Sequence, residues 1–327
     1  MKRFAVCLAI TAALVGPMIG VWPETAAAAA FPEKGKSIDI IVPSTAGGSA
    51  DLVARLVAPG MEKELGIPVR VVNRPGAGNQ LGVSELARAK KDGYIIGITN
   101  LPHTPLLYLN PDRKTDFSRR SFQPLANLTE DPHYVAVRAD SPYKTMKELI
   151  DAGKANPERI RIATLGILGP EHLRIIQMQK LTGAKFAPVN FDGVAASRTA
   201  LLGGHIDVVI STSAGLGGTI KSGDVRLLGV MDNKPTRFAP EVKTLKSMGY
   251  NVRSVLNLPL SLPAGTPREV VNILTAAAKK TVESDEFKQK ASAVGATPHY
   301  LNPEELGALW EEVEGDLRSI LEMAKQP

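Results

Sequence analysis

The chain has 327 residues, a formal charge of +6 and one cysteine. Its basic residues are scattered along predicted helices, with no basic block interleaved with aromatics, which argues against nucleic-acid binding. A mild positive balance suits attraction of small anions. Met1-Lys2-Arg3 is a short positive segment, Phe4 to Val21 is largely apolar, and Ala26 to Ala30 supplies small residues before Phe31. This is the pattern of a cleaved secretory signal peptide over residues 1–30. Cleavage removes Cys7, so the mature chain can form no disulfide, zinc thiolate site or thiol nucleophile. What remains suits one large domain or two lobes. No second apolar run is long enough to span a bilayer.

Ile38 to Val42 is a β-branched run and reads as a buried strand. Pro43 ends it, because proline cannot donate to a ladder. Small residues follow from Ser44 to Ala50, and Gly47 and Gly48 permit positive φ and close approach. Leu52, Val53, Leu56 and Val57 then recur at helical spacing. Ser49 is a candidate N-cap, and Asp51 falls in the first turn, where negative charge is favoured. Strand, loop and helix start form a candidate anion cradle, with free amides and a positive helix end at one spot. The simpler alternative is a β–α turn whose glycines serve geometry alone. Asp51 reads as a capping residue, since a carboxylate beside a bound anion is repulsive.

Val69 to Val72 is a second strand. Gly76, Gly78 and Gly82 imitate a dinucleotide fingerprint, but the last spacing is three residues and no acidic residue follows the next strand. They predict a tight turn opening a helix through Ala89. Tyr94 to Thr99 is a third strand, and Asn100 at its end is a candidate ligand contact, able to donate and accept. His103 reads as a loop histidine, and residues 110–120 as a polar loop. A break at Thr129-Glu-Asp-Pro132 precedes a strand from His133 to Arg138. Thr145 and Glu148 form a capping box for a helix that ends at Asn156-Pro157.

Arg161 to Ala163, the loop Thr164 to Pro170 and a helix from Pro170 repeat the logic of the first cradle. His172 is expected to hydrogen-bond into that loop, with ligand contact as the alternative. Ala187 to Phe191 ends another strand, and Asp192 opens a helix to Leu202. A strand from Ile206 to Ile210 leads to Ser211, followed by strands at residues 227–231 and 256–262 and a helix through Lys280. The last helix carries an apolar stripe that includes Leu306, Trp310 and Leu317, and Trp310 reads as core. Two cradles on separate β/α units suggest two facing lobes with a cleft beyond the strand ends, closing over a small anion.

Ile41-Val-Pro-Ser-Thr-Ala-Gly-Gly-Ser-Ala-Asp-Leu-Val-Ala-Arg55 resembles the first motif of the Bug family, the substrate-binding receptors of tripartite tricarboxylate transporters. Val72-Asn-Arg-Pro-Gly-Ala-Gly78, Asp92-Gly-Tyr94, Lys147-Glu-Leu-Ile150, Ala155-Asn-Pro157, Leu201-Leu-Gly-Gly-His-Ile-Asp207 and Pro263-Ala-Gly-Thr-Pro267 extend the resemblance over the mature chain. It implies an α/β, two-lobed periplasmic binding protein fold. Each lobe would be a mainly parallel sheet flanked by helices, with the ligand cleft between lobes. Lobe one would comprise residues 31–130 and 251–327, and lobe two residues 131–250. It further implies a monomeric periplasmic receptor that takes up a small carboxylate, uses no cofactor or metal, and hands its ligand to a membrane permease of the tripartite tricarboxylate type.

In such receptors the two β–α loops hold a carboxylate, largely through backbone amides and water. By resemblance the first loop is Ser44, Thr45, Ala46, Gly47 and Gly48. The second is Thr164, Gly166, Ile167, Leu168, Gly169 and Pro170, followed by His172, with Ser211 facing the same cleft. The chain departs from the family pattern at Ser44, where an aromatic is usual, and at Ile167 and Leu168, in a loop usually rich in Ser and Gly. It departs again at Ser211, often Asp, and at Asn257, often Trp. Ile167 and Leu168 are expected to form an apolar wall favouring an aromatic or aliphatic mono- or dicarboxylate over citrate. Two other readings remain open. An enzyme acting on a small carboxylate or phosphate ester finds no nucleophile elbow, metal-spaced His pair or carboxylate pair. A sensing subunit docking on a membrane kinase is not separable by sequence.

Overall fold

The structure is a computed structural model that describes residues 31–325. The expected leader, residues 1–30, lies outside the described residues. Every element below belongs to the unit Pro32–Pro327.

The chain opens with β1 (Ile38–Val42), α1 (Ser49–Leu65), β2 (Val69–Asn73), α2 (Gln80–Ala87), β3 (Ile95–Ile98) and α3 (His103–Leu109). β1 lies between β2 and β3, parallel to both, so four of its five side chains are buried. α1 is capped at its start by Gly48, not Ser49, and stops at Gly66, whose φ of 69° only glycine adopts readily. His103 does not sit in a loop; it opens α3.

A 17-residue strand, β4 (Phe122–Arg138), comes next. Then follow α4 (Met146–Ala155), β5 (Arg161–Thr164), α5 (Pro170–Thr182), β6 (Ala187–Asn190) and α6 (Val194–Leu202). α4 begins as expected: Thr145 Oγ1 accepts the Glu148 amide at 3.2 Å, and Glu148 reaches back to the Lys144 amide. After β7 (Val209–Thr212), α7 (Ser213–Leu216) and β8 (Val225–Val230), the chain crosses back along β9 (Val255–Pro263). It finishes with α8 (Arg268–Glu283), α9 (Asp285–Ala293), β10 (Pro298–Leu301) and α10 (Pro303–Lys325).

The main sheet runs β10-β4-β9-β3-β1-β2, with β7 and β8 both paired to the far part of β4. β4 pairs with β9 as far as Pro132, then with β7 and β8 from His133 onward. The expected break at Pro132 is therefore not a break. Proline falls where the ladder changes partners, the place where a missing N–H donor costs least. Among the named strands parallel pairing is limited to β1–β2, β1–β3 and the separate pair β5–β6, with single parallel bridges at Ile162–Val208 and Val230–Thr244, so the main sheet is mixed and not mainly parallel. The cause is that β4 and β9 run antiparallel to each other across the molecule. The strand expected at residues 206–210 lies three residues later, which places Ser211 inside β7.

Apolar residues gather on both sides of this crossing. One cluster joins Ile41, Val83, Leu86, Phe122, Leu306 and Trp310. Another joins Val135, Ile150, Ile175, Phe186, Val208 and Leu245. α1 packs closely on α8 because Gly60 lacks a side chain: a β-carbon there would lie 2.2 Å from Thr281 Cγ2. Trp310 is fully buried, as expected. Its ring stacks on Phe122 with centroids 6.0 Å apart, and Nε1 donates to Tyr108 Oη at 2.9 Å. Trp310→Ala is expected to destabilise the protein by about 3–5 kcal/mol, read by urea unfolding. A loss below about 1 kcal/mol would mean that the cluster repacks around the gap.

Candidate ligand cleft

Pro43 closes β1, and the chain turns into α1 through residues 44–48. Gly47 has φ 81°, and its amide donates to Asp51 Oδ2 at 2.9 Å. Asn73 Nδ2 donates to Asp51 Oδ1 at 3.0 Å and to the Ser44 carbonyl at 3.1 Å. Arg55 Nη2 stands 2.9 Å from Asp51 Oδ1. Burial would by itself raise the Asp51 carboxyl, but hydrogen bonds from Arg55, Gly47 and Asn73 outweigh it and hold the group below the usual carboxylate range. Asp51 thus shapes the loop from inside.

Ser44, Thr45, Gly48, Ser49 and Ala50 line a cleft of about 370 Å³. The positive end of α1 opens on this wall. The facing wall comes from Leu165 and Gly166 after β5, from residues 190–194 after β6, and from residues 210–212 in β7. The walls touch: Ser49 Oγ lies 2.8 Å from Thr212 Oγ1, and a β-carbon on Gly193 would come within 2.4 Å of Thr45 Oγ1.

Polar side chains from other elements also line the cleft, at Asn79, Asn100, His103, Arg113, His133 and Glu171. Burial, helped by the charge of Arg113, lowers the His103 imidazole to about 4. Burial likewise lowers His133 to about 4, against the hydrogen bond it makes with Ser254. Both are neutral at pH 7. His133 Nδ1 lies 3.1 Å from Ser254 Oγ. Ser254 is buried and outside the cleft lining, so the pair is not presented to a ligand as nucleophile and base. Arg113 is half-buried and donates from Nη1 to the Ala77 carbonyl at 2.9 Å. No carboxylate pairs with it among the described residues.

Glu171 lies in the first turn of α5 and is 6 % exposed. The backbone amides of Glu171 itself and of Leu165 favour its charged form, while Oε2 has no hydrogen-bond partner. Burial pushes the group up to about 7. This corrects the expectation of two matching anion cradles. A side-chain carboxyl of the protein stands near the Leu165 amide, and the Leu168 and Gly169 amides are taken by His172 Nδ1 and the Gly166 carbonyl.

Of the site residues expected from sequence, Ser44, Thr45, Gly48, Asn100, Gly166 and Ser211 line the cleft. Ala46, Gly47, Thr164, Ile167, Leu168, Gly169, Pro170 and His172 do not. Gly47 is committed to Asp51, and Thr164 donates to Asn190 Oδ1. Gly169 caps α5, with Pro170 as its first residue. His172 Nδ1 accepts the Leu168 amide at 2.9 Å, the loop hydrogen bond expected of it. Ile167 is 66 % exposed, and Leu168 packs toward Leu106, Leu173 and Leu317. The expected apolar wall is therefore not theirs. Phe191, Val194, Ile210 and Leu256 provide the apolar lining. Arg113 and His133 were not legible as site residues, because each reaches the cleft from a different part of the fold, whereas Glu171 lies between two residues expected in the site, Pro170 and His172.

The chain matches the tripartite tricarboxylate transporter family receptor over residues 53–322 and belongs to that family. A UPF0065 protein in the gbd 5′ region of Cupriavidus necator is 29 % identical over 326 residues, covering 98 % of this chain and 97 % of that one. The structure of the periplasmic binding protein BugD superposes with a TM-score of 0.82 at 28 % identity, covering 89 % of this chain and 98 % of that one. MatC from Rhodopseudomonas palustris, solved with bound malate, gives a TM-score of 0.81 at 23 % identity, covering 88 % and 99 %. The chain is thus a solute receptor of a periplasmic binding-protein family, not an enzyme.

The burial of Glu171 has a measurable sign. Its folded value, about 7, lies above the ordinary 4.5, so its contribution to stability is complete below about pH 4.5 and is lost as pH rises through 7. The charged and titratable groups around it are Arg174 on its own helix and, among the cleft residues, Arg113, His103, His133 and Asp192. Glu171→Gln does not titrate, so its melting temperature relative to wild type is expected to be constant below about pH 4.5, to rise between about pH 4.5 and 7, and to level off above that. His103 and His133 are present in both proteins and drop out of the difference. A difference that stays flat with pH would show that the carboxyl is solvated.

Proposed function

We propose that the chain is exported by cleavage before Phe31 and acts in the periplasm. There it captures a small organic carboxylate, an aliphatic or aromatic mono- or dicarboxylate, and delivers it to a permease of the tripartite tricarboxylate type. The observation that carries this reading is the pairing, in one cleft, of the α1 N-terminus with an Arg113 guanidinium that has no carboxylate partner among the described residues. The cleft volume suits a small molecule, and Phe191, Val194, Ile210 and Leu256 give its carbon skeleton an apolar surface. Malate in MatC is a ligand of this chemical kind. The ligand residues proposed here are Ser44, Thr45, Gly48, Asn100, Gly166 and Ser211, joined by Arg113. Residues 31–130 and 251–327 act as one lobe and residues 131–250 as the other. They hinge where β4 changes partners and where the chain returns into β9.

A thermal-shift and calorimetric panel of carboxylates tests the reading on the protein from Phe31 onward. A ligand present at a hundredfold excess over its Kd stabilises by about 2.7 kcal/mol, a shift of several degrees. Arg113→Ala is expected to weaken the best hit by about tenfold or more, the loss typical of a charge-assisted hydrogen bond. A panel without a hit on protein stripped of retained ligand, or turnover of any compound, would overturn the proposal.

Lobe closure has its own test at Gly193. A methyl group there meets Thr45 Oγ1 in the closed form, and overpacking of this kind costs about 1–3 kcal/mol. Gly193→Ala is therefore expected to weaken ligand binding by roughly tenfold with little change in the melting temperature of the ligand-free protein. Unchanged affinity would mean that the walls do not need to meet.

A further inference from the structure

Leu168 stands in a backbone conformation that leucine seldom takes. Its φ is 54°, in the left-handed region, where the β-carbon crowds the following carbonyl. It is the third residue of the turn Gly166-Ile167-Leu168-Gly169, closed by the Gly169 amide donating to the Gly166 carbonyl at 3.0 Å. A positive φ at that place ordinarily calls for glycine or asparagine. His172 holds the conformation. Burial lowers its imidazole below the ordinary 6.5, so the ring is neutral at pH 7, and Nδ1 accepts the Leu168 amide at 2.9 Å.

Strain of this kind persists only where the surroundings hold it. The Leu168 side chain packs on a cluster of Leu106, Leu173, Leu317, Ile320 and Leu321. Leu173 lies on α5, in the same lobe as the turn. Leu106 on α3 and the other three on α10 belong to the opposite lobe. Lys180 Nζ, at the far end of α5, donates to the Met323 carbonyl of α10 at 2.6 Å. The contacts between the cleft walls are of another kind: the hydroxyls of Ser49 and Thr212 meet, and Gly193 meets Thr45. Water replaces a hydroxyl partner when lobes part, so such contacts add little to closure. Water does not replace leucine on leucine, and parting there exposes apolar surface. The same turn also reaches the cleft, because Leu165 and Gly166 line it. A ligand that orders the turn from the cleft side therefore orders Leu168 as well.

We propose that Leu168 is the lock of the closed form: the turn, held by His172, sets its side chain between α3 and α10 of the opposite lobe. This rests on the two-lobe closing reading given above and adds the contact that keeps the lobes together. His172 is a positioning residue and acts through the Leu168 amide.

The protein from Phe31 onward has no cysteine, so two spin labels can be placed at will. Lys114→Cys lies beside Arg113 at the cleft, and Thr199→Cys lies on α6, whose start lines the opposite wall; both positions are exposed. Double electron–electron resonance then reads the width of the cleft with no ligand added. Wild type is expected to give two distances, the shorter being that of the closed form described here. Leu168→Asn suits a left-handed residue but deletes the apolar contact, and is expected to lower the ratio of short to long distance about fivefold or more. Leu168→Met, which keeps the contact, should stay within about twofold of wild type. His172→Ala should lower the ratio in the same direction, and His172→Asn, whose carboxamide oxygen can accept the Leu168 amide, should restore it. Melting curves confirm that each variant is folded. If Leu168→Asn or His172→Ala leaves the ratio of wild type, or if wild type shows only the longer distance, the lock is overturned and the carboxylate receptor stands. If every variant gives the same single narrow distance, the lobes do not move, and the closing of the cleft falls with the lock.

Discussion

A strand in the middle of a sheet must satisfy its backbone groups along its whole length. β4 meets this requirement by changing partners, pairing first with β9 and β10 and then with β7 and β8. The cleft depends on that exchange. β4 brings His133 to the cleft at the residue where the change occurs, and β9 brings Leu256 from the antiparallel neighbour. The β–α loops that make the two walls are attached on either side. A chain that returned from β4 by a hairpin would keep one sheet and lose the facing wall.

The two βα units place an acidic side chain in the first turn of α1 and of α5, and the surroundings make them different. Asp51 is reached by an amide, a carboxamide and a guanidinium, so it stays ionised although only 3 % exposed. Glu171 has backbone amides on one side and nothing on Oε2. An anion that is fully paired serves architecture, because its interactions are spent on holding the loop. A half-paired one of similar burial is costly as an anion, and the cost is relieved by protonation, which burial favours by raising its pKa to about 7. The asymmetry of the cleft follows from this difference more than from its overall charge.

Much of the order of elements was legible because β1, α1, β2 and α10 announce themselves locally. β-branched runs, glycines at turns and an apolar stripe around Trp310 need no tertiary knowledge. What failed had tertiary causes. Pro132 looks like a stop until the sheet behind it is known to change partner there. Ile167 and Leu168 look like a binding surface in sequence, yet one side chain is exposed and the other packs on the cluster of Leu106 and Leu317. Ser49 looks like a cap, yet Gly48 fills that role and the hydroxyl faces Thr212 from another part of the chain. The first loop was recovered in part, at Ser44, Thr45 and Gly48, because strand, glycines and helix start lie together in sequence. Arg113 could not be recovered, because its segment reads as polar loop and only folding brings it beside Gly78 and Gly166.

The position of Arg113 also bears on how a charged ligand enters. A β-carbon on Gly78 or Gly166 would stand 3.0 Å or 3.4 Å from a guanidinium nitrogen, so the cation lies between a loop before α2 and the loop after β5. Glycine at both positions leaves room for a flat, charged group where side chains would displace it. Held by the Ala77 carbonyl, it stays oriented without being neutralised. Arg113 thus brings a positive charge to the loop after β5, in addition to the positive end of α1 on the other wall. A positive helix end and a guanidinium without a carboxylate partner among the described residues make the local potential of this volume attractive to anions. The apolar side chains of Phe191, Val194, Ile210 and Leu256 line the remainder of the volume, so the polar and apolar parts of the cleft come from different elements of the fold.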